Sequence, residues 1–192
     1  MRTLLLVSTL IDRLLRAIAV TFGWLFLALV TVIVFDVITR KFGFQLSLFG
    51  IDLGSTRLQE IEWHLHAMLF LTWLGYAYVR NSHVRIDVFV ANLPPRKLAW
   101  LELLGCVVLA LPYLFVALPY ALNFFVTSYF QNESSSAPNG LPYRWVIKAF
   151  LFTGFLTVLL AVISVAFRRI VFLFGSPDES ERAMPGQSAA AH

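Results

Sequence analysis

The chain has 192 residues, of which 59% are hydrophobic and 14% charged, with a mean hydropathy of +0.77. A water-soluble domain carries about 25% charged residues, so there is too little polar surface here to coat a soluble globule, and lipid must be the solvent for most of the chain. The net charge of +4 fits Lys and Arg held in cytoplasmic loops rather than a nucleic-acid partner, because no basic run is interleaved with stacking aromatics.

Residues 4–18 place Leu4, Val7, Ile11, Leu14 and Ile18 on one helical stripe, with Arg2, Ser8, Asp12, Arg13 and Arg16 largely elsewhere. The spacing predicts a cytoplasmic or interfacial helix over 1–16, lying with that stripe in the membrane surface; a cytoplasmic extension of the first span suits the same residues. Ala17 to Phe35 is uncharged and ends at Asp36, Arg40 and Lys41. It is too long for a signal-peptide core, and no small-residue cleavage site follows. The loop from Gln45 to Leu58 is apolar for a connector, with Leu46, Leu48, Phe49, Ile51 and Leu53, and is expected to rest on the membrane or on a partner; the conformation of 41–59 is left open.

A second span, Trp63 to Val79, opens after Glu60 and Glu62 and closes at Arg80. Ionisable groups at a span mark a functional or packing contact. Glu62 and His66, four apart, share a helix face and could pair. A proton relay or a metal or haem ligand stands against the plainer reading, a polar helix entrance in the headgroup region satisfied by Arg57 and water. His64 and His66 lie about 200° apart on a helix and cannot grip one metal together.

The third span, Gly105 to Val126, begins near Leu98 and contains the single cysteine, Cys106, which has no partner for a disulfide or a metal site. Pro112 and Pro119 each remove a backbone hydrogen bond from it, which predicts a kink or bend. Gln131 to Pro142 has ordinary turn chemistry. The fourth span, Ala149 to Phe167, stops at Arg168 and Arg169, and 173–192 reads as a disordered cytoplasmic tail. The fold class is therefore an all-α membrane protein with an N-terminal amphipathic segment and a four-helix transmembrane domain over 17–172. Its spans cover about 17–39, 60–80, 98–127 and 144–168, each long enough for a hydrocarbon core of about 30 Å. Trp24, Trp63, Trp73, Trp100 and Trp145 mostly fall near the predicted interfaces.

Lys and Arg near the span ends number 10 on the side of both termini and the 80–97 loop, against 5 on the other. Both termini are therefore expected in the cytoplasm.

The most distinctive stretch runs Glu60-Ile-Glu-Trp-His-Leu-His-Ala-Met-Leu-Phe-Leu, then Trp73-Leu-Gly-Tyr-Ala-Tyr and Arg80-Asn-Ser-His-Val-Arg-Ile-Asp87. It resembles the small, DctQ-like membrane subunit of tripartite ATP-independent periplasmic (TRAP) transporters. Gly140-Leu-Pro-Tyr-Arg-Trp-Val-Ile-Lys-Ala149 looks like a branch of that family associated with mannitol or chloroaromatic compounds. The resemblance covers roughly residues 15 to 172.

The resemblance implies a bacterial inner-membrane subunit that is not an enzyme and carries no catalytic residue, cofactor or metal. Its partners would be a large permease, bound one to one and bearing the elevator domain and ion sites, and a periplasmic protein that delivers a solute, commonly an organic acid. Candidate docking residues are Glu60, Glu62, His66, Trp73, Gly75, Arg80, His83, Arg85, Asp87, Arg144, Trp145 and Lys148. If the helix continued two turns past Val79, Arg80, His83 and Asp87 would share a face toward the large subunit. The rivals are a haem-bearing anchor of a respiratory complex, which needs axial His on separate helices, and an autonomous small transporter or channel.

Overall fold

The computed structural model of the protein describes residues 1–42, 47–48, 51–52, 55–82, 93–137 and 139–183. In chain order they form α1 (Arg2–Gly23), α2 (Leu25–Phe42), α3 (Ser55–Val79), α4 (Pro95–Leu104), α5 (Leu111–Phe130), α6 (Trp145–Phe174) and α7 (Pro177–Ala183). Ser47–Leu48 and Ile51–Asp52 pair as a minimal antiparallel ladder. Of the rest of the expected 45–58 loop, residues 55–58 are the first turn of α3, and 45–46, 49–50 and 53–54 lie outside the described residues.

Among the described residues, three stretches are long and apolar enough to cross a membrane: Arg2–Phe42, Pro95–Phe130 and Trp145–Phe174. The second predicted span is the 25-residue helix α3. It has the length, but Arg57, Glu60, Glu62, His64 and His66 in its opening turns make it the most polar candidate.

The chain divides into two compact units: Met1–Ala17, Leu74–Ala117 and Phe155–His192 form one, Ile18–Trp73 and Leu118–Gly154 the other. In the first, α3 and α6 meet at Gly75, where a Cβ would lie 2.5 Å from the carbonyl oxygen of Thr157. Only glycine fits that approach. The apolar core there is Cys106, Leu114, Val162 and Ala166, flanked by Tyr78, Leu111 and Phe155. Arg169 of α6 pairs with Glu102 of α4.

The packing of α1 leaves part of the expected stripe uncovered within the chain. Ser8 and Leu15 are buried, whereas Val7 and Leu14 are exposed. Arg168 Nε donates to Ser8 Oγ (2.7 Å), and Ser164 Oγ donates to Asp12 Oδ1 (2.6 Å). Ser164 has one proton and has given it to Asp12, so Ser8 is the donor in the 2.9 Å contact between the two hydroxyls. Arg168 also pairs with Asp12 Oδ2, closing the ring. The polar side of α1 faces α6, while Leu6, Leu10 and Leu14 are exposed. In lipid the usual inside-out rule loses its force, because tails are as apolar as Leu and only polar groups gain by finding each other.

In the second unit, Gly154 of α6 lies against Leu71 of α3, with a Cβ position 3.0 Å from Leu71 Cβ. Trp73 Nε1 donates to the carbonyl of Ala19 (2.9 Å), and Phe22 meets Phe150 edge to face.

The ends of two helices follow one rule. Past α3, Asn81 takes the left-handed conformation (φ 56°), Ser82 N–H bonds Ala77 C=O and Asn81 N–H bonds Tyr78 C=O. Past α5, Asn132 (φ 46°) repeats the pattern with Glu133 to Ser128 and Asn132 to Tyr129. Both are Schellman caps with Asn in the place usually held by Gly. Between α4 and α5, Gly105–Ala110 is a π-helical turn, closed by Leu111 N–H on Cys106 C=O. It immediately precedes Pro112, whose ring and missing N–H would disturb a regular helix; the wider turn is where the predicted irregularity is absorbed. The expected tail begins as helix: Ser176 N–H donates to Glu179 (3.2 Å), a capping-box contact that opens α7. Residues 184–192 lie outside the described residues.

The glycines give a ranked test in thermal unfolding of the purified protein. Gly75→Ala forces Cβ onto backbone atoms and should cost about 1–3 kcal/mol or more. Gly154→Ala, meeting a movable side chain, should cost less. Gly105→Ala, with nothing within 4 Å of the added carbon, should be neutral or slightly stabilising, by up to about 1 kcal/mol. Asp12→Ala strands the Arg168 guanidinium and should cost about 3–5 kcal/mol; a loss under a tenth of that would contradict the ring.

Candidate functional site

Four of the twelve candidate residues come together in the second unit: Glu60, Arg144, Trp145 and Lys148. Glu60 sits in the second turn of α3, and its carboxylate reaches back to the loop between α5 and α6. Oε2 accepts Leu141 N–H at 2.5 Å, and Oε1 accepts the Ser135 hydroxyl. Ser135 is held in turn, its N–H on Leu141 C=O (3.0 Å) and its Oγ taking Ala137 N–H (3.2 Å). Gly140 is required at this point, since a Cβ would lie 2.4 Å from that of Ser135. Arg57 Nε donates to the carbonyl of Asn139 (2.8 Å), so the first two turns of α3 clasp the loop through two side chains.

The other side of the clasp is aromatic and basic. Arg144 N–H bonds Glu133 C=O (2.9 Å), and its guanidinium lies 5.9 Å from the centre of the Trp63 ring. Trp145 meets Tyr129 edge to face at 5.4 Å. Lys148 pairs with Glu133 and stands 3.8 Å over the Phe124 ring. The Lys148 hydrogen bond, with Arg144 nearby, holds the Glu133 carboxyl below its ordinary range. Arg144 and Lys148 are thus used within the chain, in cation–π and ion-pair contacts.

The remaining candidates are scattered. Trp73 is committed to Ala19, and the close approach foreseen for Gly75 is made by Thr157 of the same chain. No hydrogen bond or ion pair joins Glu62 to His66: His66 is exposed, and Glu62 Oε1 is buried without a hydrogen-bond partner. His64 Nδ1–H donates to Glu60 C=O (2.5 Å) and stacks on Trp63. Arg80 is exposed just beyond α3. The Asn81 cap removes the condition on which Arg80, His83 and Asp87 would share a helix face. His83, Arg85 and Asp87 lie outside the described residues.

Sequence reasoning missed Ser135, Glu133 and the Ser8–Asp12–Ser164–Arg168 ring. The ring had a signal in two i, i+4 pairs, Ser8 with Asp12 and Ser164 with Arg168, on helices that each had to hide a charge. The clasp had none, because backbone amides carry no sequence signature.

Glu60→Gln keeps the shape but replaces the carboxylate with a neutral group. Hydrogen bonds to charged groups contribute about 1.5–3 kcal/mol, so amide exchange at Leu141 should quicken about ten-fold or more. The Glu133 contribution has the opposite window to a basic group: its carboxyl is lowered in the folded chain, so the stability is present above the ordinary carboxylate range and is lost as pH falls through the lowered value. The protection of the Arg144 amide, taken relative to its intrinsic exchange rate at each pH, should fall on acidification, and Glu133→Gln should abolish that dependence.

The chain matches the family described as tripartite ATP-independent periplasmic transporters, DctQ component, over residues 29–172, three quarters of its length. No curated protein and no solved structure matches it. The family is a transporter component rather than an enzyme family, and the apolar helices agree with a membrane location. With both expected signature segments, residues 60–87 and 140–149, inside the matched range, the chain belongs to the DctQ family, the small permease component of TRAP transporters.

Proposed function

We propose that this chain is the static scaffold subunit of a solute importer in a bacterial inner membrane. It crosses the bilayer four times, α3 supplying the second crossing, with both termini in the cytoplasm. It binds one copy of a large permease that carries the ion-coupled transport domain. A periplasmic protein delivers the solute, an organic acid. The reading is carried by one observation: in a chain of the DctQ family, the membrane-length helices leave most of their apolar surface uncovered. On α5, Phe115 is 82% and Tyr120 is 73% exposed, more than a chain that filled its own interior would leave. Lipid covers part of such a surface and a partner helix the rest. The charge bias supports the orientation even though Arg168 and Arg169 are paired, because acidic neighbours contribute little to topology.

Two measurements test this. In a Cys106→Ser background, Ser136→Cys should react with an impermeant maleimide in intact cells and Asp178→Cys should not; the reverse pattern overturns the orientation. Co-expression with the large permease should yield a stable one-to-one complex that restores uptake, while liposomes holding this chain alone take up no solute. Uptake by the chain alone would establish the autonomous-transporter reading instead. Asp87→Ala should leave insertion intact and reduce recovery of the complex, which tests the 80–87 segment as a docking element.

A further inference from the structure

A second polar site lies in the Ile18–Trp73 and Leu118–Gly154 unit, away from the Glu60 clasp. An open groove with room for about 450 Å³ is lined by Ile33, Asp36, Val37, Arg40 and Lys41 of α2 and by Glu62 of α3. Asp36 is only 2% exposed. Its Oδ2 pairs with Arg40 one turn on, but Oδ1 is buried with no hydrogen-bond partner, and so is Glu62 Oε1. A buried carboxylate oxygen without a donor requires an explanation, and the two residues that carry one, on two helices, both line this groove.

We infer that this groove binds the headgroup of a phospholipid bearing a primary ammonium beside its phosphate. The orphaned oxygens of Asp36 and Glu62 need a small cationic donor with several N–H bonds, which an ammonium supplies and a quaternary amine does not. Arg40, a fork that also holds Asp36, and Lys41, a point charge, line the same groove and suit a phosphate. A metal ion fits less well: among the described residues no group of three or more His, Cys, Asp or Glu could hold one, and two cations stand alongside. The volume is within the range of about 300–1,000 Å³ for small-ligand sites. The site also lies near the charged end of the Arg2–Phe42 stretch, where a headgroup would be. Ile33 and Val37 on its wall, and Val30 and Val34 on the same helix, are exposed, giving acyl chains an apolar track.

The test uses the full-length purified chain, stripped of lipid in detergent and titrated with dioleoyl phosphatidylethanolamine, phosphatidylcholine or phosphatidylglycerol, with bound lipid read by native mass spectrometry. The ethanolamine lipid should be retained about ten-fold better than the other two, the gain expected of charge-assisted hydrogen bonds. Glu62→Gln, which leaves the Asp36–Arg40 pair intact, should bring it to the level of the choline lipid; Asp36→Asn should do the same if it folds. Glu133→Gln, outside the groove, should retain the preference. Equal retention of choline and ethanolamine lipids, or a preference untouched by Glu62→Gln, overturns the assignment. So does a complex with the large permease that excludes the lipid yet is weakened by Glu62→Gln, since a basic side chain of the permease would then be the occupant.

Discussion

Inside a bilayer no hydrophobic force draws one helix onto another, so helices are held by close backbone approach and by polar groups that have nowhere else to go. Helix α6 supplies both. Gly154, Thr157, Ala161 and Ser164 follow one another at spacings of three and four along one side and are all buried, and no side chain larger than threonine stands between that side and its neighbours. Arg168 extends the same row to the ring with Asp12. A second row, Val162, Ala166 and Arg169, meets Cys106, Leu114 and Glu102. The uncharged run of α6 and the arginine pair that follows it are therefore two halves of one device: small residues bring helices near, and the guanidinium groups fix their register.

That constraint explains what could be read in advance and what could not. Length and hydropathy disclosed the apolar runs beginning near 17, 98 and 149, because a hydrocarbon layer sets the same requirement on every spanning helix. The polarity of the second run was also visible, in Glu60, Glu62, His64 and His66. The apolar stripe of α1 and its polar opposite side were both visible, but not what the polar side meets: Ser8 and Asp12 make the contact with α6. Two polar residues one turn apart do not name their partner helix.

Helix ends were harder to read for a different reason. Asn81 stops α3 by adopting a left-handed conformation that Asn tolerates and most residues do not. Nothing in Tyr78-Val-Arg-Asn-Ser demanded it: asparagine also sits in helices at modest cost. The same residue type in the same role at Asn132 makes the pattern recognisable only once both are known. α3 therefore ends at Val79, just before the distinctive order that runs from Arg80 to Asp87.

The charged assemblies near the helix ends differ in a way that bears on function. In the Ser8–Asp12–Ser164–Arg168 ring each hydroxyl proton has an acceptor and both aspartate oxygens have donors, so nothing remains to offer a ligand. The Glu60 carboxylate likewise has both oxygens occupied, by Leu141 and Ser135. Closed sets of this kind stabilise a fold and are indifferent to what surrounds it. Asp36 and Glu62 are different: each keeps one buried oxygen without a donor, which raises the free energy of the isolated chain. Desolvating such a group without a partner costs on the order of 1–3 kcal/mol, and that penalty disappears when a donor arrives. A small permease subunit has to recognise its surroundings in the membrane, and unsatisfied acceptors near the end of an apolar helix are where recognition adds most to stability.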